Sequence, residues 1–128
     1  MNRSRKVSVF LAAVLASIVA GPVFPASPSL AEKLASHEFR LGPEVPYVSD
    51  YRMDERVYVD NRRLILPAAD QSFLVELTLR CFGLHSNRIF ARSREKDRLA
   101  PGDELLIKHE GRTVDHCEVK SLHQLESM

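Results

Sequence analysis

Apolar and polar residues alternate in short runs from residue 56 onward, and this period of two predicts β-strands. The clearest run is 72–80 (SFLVELTLR), where the two sets of alternate residues differ strongly in polarity. Such a pattern predicts a strand with one buried face. The buried set is expected to be Phe73, Val75, Leu77 and Leu79, and the opposite set Leu74, Glu76, Thr78 and Arg80.

Turn signals separate the apolar runs. Runs 57–59 and 64–66 flank residues 60–63, whose Asp and Asn tolerate the backbone of tight turns, so this segment predicts a hairpin. Pro67 is expected to end the second strand because proline cannot donate to a strand ladder. Further turns are predicted at 101–103 and 110–111, and further strands at 88–93, 104–109 and 114–122.

About six short strands at this spacing predict a mainly β fold, a small antiparallel sheet that is barrel-like or folded into a sandwich. The predicted β domain covers residues 51–123. An extended lead-in at 32–50 precedes it, since Pro43 and Pro46 favour extended backbone before them. Residues 124–128 are expected to form a frayed tail.

The first thirty-one residues have the order of a secretory signal peptide. Arg3, Arg5 and Lys6 precede an uncharged, mostly apolar run at 7–20, and small residues in 29–31 suit a cut before Glu32. The apolar run is shorter than the about 20 residues that a membrane-spanning helix needs. We therefore predict a cleaved signal peptide at 1–31, a periplasmic or secreted protein, and no stable membrane span after cleavage.

Charge argues against a nucleic-acid partner. Removal of residues 1–31 would take away three basic residues and no acidic ones, which changes the net charge from +1 to −2. Binding to phosphates needs clustered positive charge, which such a chain lacks overall. A local basic run holds Arg88, Arg92, Arg94 and Arg98. These arginines form either a solvated loop or contacts to an anionic partner.

Two cysteines, Cys81 and Cys117, bracket 35 residues. In an oxidising compartment a pair of this kind usually closes a disulfide, and a loop of this span predicts a contribution of roughly 4 kcal/mol to stability. The alternatives are a reactive thiol or a pair of metal ligands, although the spacing is not Cys-x-x-Cys. We predict the disulfide.

Several segments resemble a known family. Residues 59–64 (VDNRRL), 73–77 (FLVEL) and 81–84 (CFGL), with Cys117 after a short hairpin, are similar to an uncharacterised family of small exported proteobacterial two-cysteine domains, a domain of unknown function. The resemblance covers about residues 54–122. It implies a periplasmic or secreted protein and supplies no activity.

Histidines offer a possible metal site. His109 and His116 could lie on paired strands, with His123 nearby in sequence, and neutral imidazoles bind zinc or copper. His116 and Cys117 are adjacent, however, and successive residues of a strand face opposite sides. Scattered exposed histidines are the commoner case, so we predict no metal site and no cofactor. A periplasmic metal-binding protein that uses these three histidines stays the alternative.

Catalytic signals are weak. The serines follow no nucleophile motif, the chain has no glycine-rich phosphate loop, and a Cys–His pair would need one cysteine to be free. We therefore expect a protein that is not an enzyme, with a free cysteine as the exception. The function that the sequence favours is an exported interaction module for an envelope component or a protein partner, which binds through a sheet edge or the basic loop.

Overall fold

The computed structural model describes residues 27–85 and 87–128, and within these ranges the chain is mainly β, as predicted. Nine strands occur there, more than the six expected, because one short pair, β2 and β7, and one lead-in strand, β1, join the set. The elements are α1 (Leu30–Ala35), β1 (Phe39–Glu44), β2 (Val48–Ser49), the 3-10 helix η1 (Met53–Glu55), β3 (Val57–Asp60), β4 (Arg63–Ala68), β5 (Gln71–Leu77), β6 (Arg88–Arg92), β7 (Arg98–Leu99), β8 (Glu104–His109) and β9 (Arg112–Ser127).

All strand pairs are antiparallel, and β9 is the central strand. Its first half pairs with β8, and its second half pairs with β5 on one side and β1 on the other. The main sheet runs in the order β3-β4-β5-β9-β8-β6, while β2 and β7 form a separate two-stranded ribbon. The sheet is not closed into a barrel, so β3 and β6 each keep one edge that no strand of the described part of the chain pairs with.

The main apolar cluster lies where the sheet curls over itself. Leu77 of β5, Leu105 of β8 and Val119 of β9 meet there, although long stretches of sequence separate them. Val48 and Leu99 of the β2–β7 ribbon and Met53 of η1 complete the cluster. The ribbon and η1 therefore cover apolar residues at the open side of the curled sheet.

A second apolar cluster lies on the opposite face of the sheet, under α1. Leu34 of α1 packs against Ile65, Leu74 and Leu125, and all four are buried. The prediction of one buried face for the 72–80 run is therefore wrong, because α1 covers the face of Leu74. Leu79 is exposed rather than buried, since β5 ends before it at Leu77.

Pro67 does not end β4, contrary to the sequence-based expectation, and pairs with Ser72 within the strand. Leu77 donates its backbone N–H to Arg62, so alternate residues 62, 64 and 66 direct their backbone groups to β5. Pro67 therefore points to the β3 side, beyond the end of β3, where the missing N–H removes no ladder bond. Its carbonyl accepts the N–H of Arg52 instead.

Both ends of the described chain take part in the fold. The expected lead-in supplies α1, β1 and β2, and the expected frayed tail at 124–128 lies mostly in β9, paired with β1. Only residues 27–31 of the predicted signal peptide fall within the described part of the chain. There Ser29 caps α1 by accepting the N–H of Glu32, whose carboxylate accepts the N–H of Ser29. The predicted cut before Glu32 thus lies inside α1, and it stays a prediction.

Local turn chemistry explains the predicted hairpins. The 60–63 segment joins β3 to β4, as expected. Gly102 adopts a φ of +91° in the predicted 101–103 turn, and Glu110 and Gly111 adopt φ values of +51° and +79° between β8 and β9. The left-handed conformations of Glu110 and Gly111 suit the two-residue hairpin loop between β8 and β9, whereas the 101–103 turn joins two strands that do not pair with each other.

The predicted disulfide between Cys81 and Cys117 is present, with a Cα–Cα distance of 5.8 Å. Both cysteines belong to the main apolar cluster, and neither thiol is free. The disulfide links the segment that follows β5 to β9. It therefore connects the half of the sheet that contains β4 and β5 to the half that contains β6 and β8.

Candidate interaction site

Within residues 27–85 and 87–128, three strands of the main sheet have an edge without a strand neighbour, and these strands differ in the regularity of their pairing. β1 contains Pro43 and a register shift between Leu41 and Glu44. β3 has four residues and a register shift between Tyr58 and Asp60. β6 pairs with β8 over all five residues with no shift and holds no proline. Bulges, prolines and short length protect edges from further pairing, so β6 is the edge best suited to accept another strand.

The pairing of β8 settles which backbone groups of β6 are free. Val119 donates its N–H to the carbonyl of Asp103, so odd-numbered residues at the start of β8 direct their backbone groups to β9. Even-numbered residues of β8 then point to β6, where their register partners are Arg88, Phe90 and Arg92. Consequently the N–H and C=O of Ile89 and Ala91 point away from β8. Neither residue has a backbone hydrogen bond beyond the strand ladders among the described residues.

A groove of about 680 Å³ lies along this edge, between β6 and the segment 51–56 that contains η1. The Arg56 guanidinium spans it at one end by donating to the carbonyls of Leu84, Met53 and Asn87. Burial lowers the pKa of Arg56, but a guanidinium stays protonated in proteins. Arg56 thereby fixes the start of β6 to η1 and sets the position of the groove wall.

Tyr51 lies at the same wall, and burial raises the pKa of its phenol, which a hydrogen bond with Ser93 partly offsets. A tyrosine with a raised pKa is neutral near pH 7. The wall opposite β6 therefore presents apolar surface from Tyr51 and Met53 together with charged side chains of η1.

Side chains of β6 divide cleanly between its two faces. Ile89 is 7% exposed and belongs to the main cluster, with Ala91 packed against it. Phe90, on the other face, is 45% exposed, and the Arg88 guanidinium lies 5.3 Å from the centre of its ring. The outer face of the edge thus combines positive charge with an aromatic ring.

The four arginines predicted to contact an anionic partner are not equivalent. Arg92 pairs with Glu104, Arg94 with Asp103, and Arg98 with Glu95, at N–O distances of 3.0 to 3.3 Å. Among the described residues, Arg88 alone of the four has no carboxylate within salt-bridge distance. The basic loop is therefore largely neutralised internally, and unpaired positive charge lies at the start of β6.

Asp103 explains the position of Arg94. This aspartate is 3% exposed and accepts the N–H groups of Ala100 and Arg94 as well as the Arg94 Nε. Its carboxylate thus organises the connection from β6 to β8. Arg98 lies over the Tyr47 ring at 4.1 Å, which adds a second restraint on this connection.

The three candidate metal-binding histidines lie apart. His109 contacts Asn87 through Nδ1 at 3.1 Å, His116 is exposed opposite Leu106, and His123 lies opposite Leu74. As predicted, His116 and Cys117 face opposite sides of β9, since Cys117 is buried. In residues 27–85 and 87–128, the close group of possible ligands is Cys81, Asp115 and Cys117, and both of its sulfurs are in the disulfide.

An exposed phenylalanine lies beside the disulfide. Phe82 is 77% exposed, while its N–H is held by the Asp115 carboxylate and Cys81 donates its N–H to the Asn61 carbonyl. Tyr58 and Val114 line the adjacent depression of about 520 Å³. In the sequence, Phe82 stands out only as part of the 81–84 segment (CFGL), because nothing in the local pattern shows that its side chain is left uncovered.

No family model matches the chain, and no curated protein or solved structure matches it either. The resemblance to a family of exported two-cysteine domains therefore stays a prediction. Across the described residues, no helix is long and apolar enough to cross a membrane.

Proposed function

We propose that this protein is an exported interaction module without enzymatic activity, which binds an envelope or secreted protein by adding a strand of that protein to β6. The observation that carries the proposal is the regular β6 edge, where the outward backbone groups of Ile89 and Ala91 lie above a groove and have no partner among the described residues. Strand addition uses main-chain hydrogen bonds for affinity and neighbouring pockets for selectivity.

Two features support a periplasmic or secreted location. The described structure holds both cysteines in a disulfide, which persists in oxidising compartments. The N-terminal pattern of basic residues, an apolar run and small residues is that of a signal peptide, and its apolar run lies outside the described residues. Membership of the exported two-cysteine family forms part of the same proposal.

The proposal is tested by replacing an edge residue without disturbing the sheet. Because the Ala91 N–H points away from β8, Ala91→Pro removes a donor from the free edge and leaves the β6–β8 ladder intact. A tagged protein carrying this change is produced with its natural N-terminus, purified from the exported fraction without reductant, and compared with the unchanged protein. We expect co-purified protein to be lost in the variant while the thermal unfolding midpoint changes little.

Leu41→Pro is the matched control. Met128 donates its N–H to Glu38, so the alternation along β1 places the Leu41 N–H on the free edge of that strand. This variant is expected to retain whatever the unchanged protein binds. Equal recovery of the same protein by Ala91→Pro, or loss with Leu41→Pro alone, would contradict a role for β6.

A further inference from the structure

We infer that the β6 edge selects an extended segment with an acidic residue beside Arg88 and small apolar residues beside Ile89 and Ala91. This inference rests on the proposed strand addition and specifies the chemistry of the occupant. Residues directly opposite one another on paired strands share a face of the sheet. The faces of β6 therefore determine the side chains that a neighbouring strand can carry.

Positive charge at the start of β6 is unbalanced. Arg88 lies directly opposite Lys108 of β8, and the next residue in that row, on β9, is the uncharged Thr113. Like charges at opposite positions destabilise a pair of strands. Among the described residues, no acidic side chain lies within salt-bridge distance of Arg88. A carboxylate on a neighbouring strand beside Arg88 would therefore offset the repulsion between Arg88 and Lys108.

The charge around Arg92, at the other end of β6, is already neutralised. Arg92 lies opposite Glu104, with which it forms a salt bridge, and Glu118 of β9 lies next in that row. A carboxylate beside Arg92 would compete with Glu104. The end at Arg88 therefore provides most of the selectivity for an acidic residue.

The inner positions of the occupant face the groove. Ile89 and Ala91 direct their side chains toward the main cluster, so residues beside them would face Met53 and Tyr51 across the groove. Small apolar side chains fit beside Ile89 and Ala91, because these residues and Met53 are apolar and a charged side chain against them would lose water.

A second copy of this chain fits poorly. Antiparallel self-pairing centred on Phe90 would place Arg88 beside the Arg92 of the other copy, and parallel pairing would place Arg88 beside Arg88. Either register brings like charges together on adjacent strands. Charged residues on an edge discourage self-association in this manner, while they leave the edge open to an acidic segment.

The test uses two synthetic peptides, acetyl-Glu-Val-Thr-Val-Glu-amide and acetyl-Lys-Val-Thr-Val-Lys-amide. Each reads the same in both directions, so the test assumes neither a parallel nor an antiparallel arrangement. Binding to the isotopically labelled disulfide-bonded protein is followed by NMR, which detects weak binding. We expect the acidic peptide to shift the amide resonances of Ile89 and Ala91 and to slow their hydrogen exchange, and the basic peptide to do so at least several-fold more weakly.

Two neutral variants locate the selectivity. Arg88→Gln is expected to lower the affinity for the acidic peptide by roughly 2- to 5-fold, which is the range expected for an exposed ion pair. Arg92→Gln should lower this affinity less, because Glu104 already neutralises Arg92. Ala91→Pro should abolish binding of either peptide. Its unfolding midpoint, measured beside that of the unchanged protein, shows whether the fold is retained.

The outcomes separate this inference from the proposed function. Equal binding of both peptides at Ile89 and Ala91 would overturn the acidic selectivity and leave strand addition standing. Absence of shifts at these two amides would overturn the inference, and shifts confined to the region of Phe82 would do the same. Concentration-dependent self-association that Ala91→Pro abolishes would identify a second copy as the occupant and would also overturn it.

Discussion

The middle strands of the sheet, β4, β5 and β9, separate two apolar clusters that are held in different ways. The main cluster contains sixteen buried residues from strands that are distant in sequence, and the disulfide lies within it. The outer cluster contains four buried residues and is covered by the six-residue α1. One cluster lies within the curled sheet and is completed by the β2–β7 ribbon and η1, and the other depends on a short helix that packs on the outer face.

This difference shows how each region would open. An isolated helix of six residues is far below the length that is stable in water, so α1 is helical only because it packs on the sheet. Two polar contacts help to hold it: the Ser29–Glu32 capping box, and the Lys33 ammonium, which donates to Asp60 at 2.8 Å. We expect the outer cluster to open locally while the main cluster stays folded.

The largest expected effect comes from removing the covalent tie in the main cluster. Replacement of both Cys81 and Cys117 by alanine should lower the free energy of unfolding by about 4 kcal/mol, because the open chain gains conformational freedom mainly in the unfolded state. Urea unfolding of the variant and of the unchanged protein, both without reductant, measures the difference. A loss below about 1 kcal/mol would show that the curled sheet needs no tie between its halves.

Sequence predicted the features of the fold that depend on local chemistry. The hairpin at 60–63 forms around Asp60, whose carboxylate accepts the Arg62 N–H, and the turns at 101–103 and 110–111 place Gly102 and Gly111 in left-handed backbone. The disulfide follows from the number of cysteines and the predicted compartment. These features need no knowledge of which strands become neighbours.

Features that depend on strand order escaped prediction. Leu74 is buried because α1 crosses its face, and a two-turn segment gives too weak a periodic signal to reveal this. The 124–128 tail is ordered because β1 pairs with it. The free edge of β6 could not be predicted from 88–93 alone, because a strand becomes an edge only by its place in the sheet.

Truncation of Leu34 should have the next largest effect and a different signature. Leu34→Ala is expected to lower the free energy of unfolding by about 2 to 3 kcal/mol. This is near the low end for a buried leucine, because a helix on the surface can shift and partly fill the cavity that the truncation leaves. Leu41→Ala makes the same chemical change at an exposed position of β1 and should cost less than about 0.5 kcal/mol.

Hydrogen exchange on these two leucine variants sharpens the contrast between the clusters. In Leu34→Ala, amides of α1 should exchange faster, while those of β8 and the first half of β9 should keep their relative protection. Uniformly faster exchange throughout β8 and β9 would mean that the two clusters unfold as one unit.

Acid should weaken the outer cluster through Asp60. Burial raises the pKa of this carboxyl, but hydrogen bonds from Lys33, the Arg62 N–H and Arg63 outweigh it and hold the pKa below the ordinary 3.8. The folded state then binds the proton less readily than the unfolded chain, so the stabilisation is complete above about pH 5 and disappears as pH falls below about 4.

Asp60→Asn therefore provides a pH-dependent comparison. The variant should be less stable than the unchanged protein by about 1 kcal/mol at pH 7, and the gap should narrow as pH falls through the pKa of Asp60. Urea midpoints measured from pH 7 down to pH 3 give the difference. A gap that stays constant over this range would assign the loss to packing rather than to the charge of Asp60.

An effect about as small as that of Asp60→Asn is expected at Ser29, the N-cap residue of α1. Ser29→Ala removes the acceptor for the Glu32 N–H and should lower stability by about 1 kcal/mol, whereas Ser27→Ala, two residues earlier and exposed, should change it very little. A chain that begins at Glu32 lacks Ser29 and also Leu30, which packs against the outer cluster, so it should lose more than Ser29→Ala does. As in Leu34→Ala, the faster hydrogen exchange of this shortened chain should be confined to α1 and β1. Equal stability of the chains that begin at Ser27 and at Glu32 would mean that the outer cluster is held by Leu34 and Lys33 without the cap.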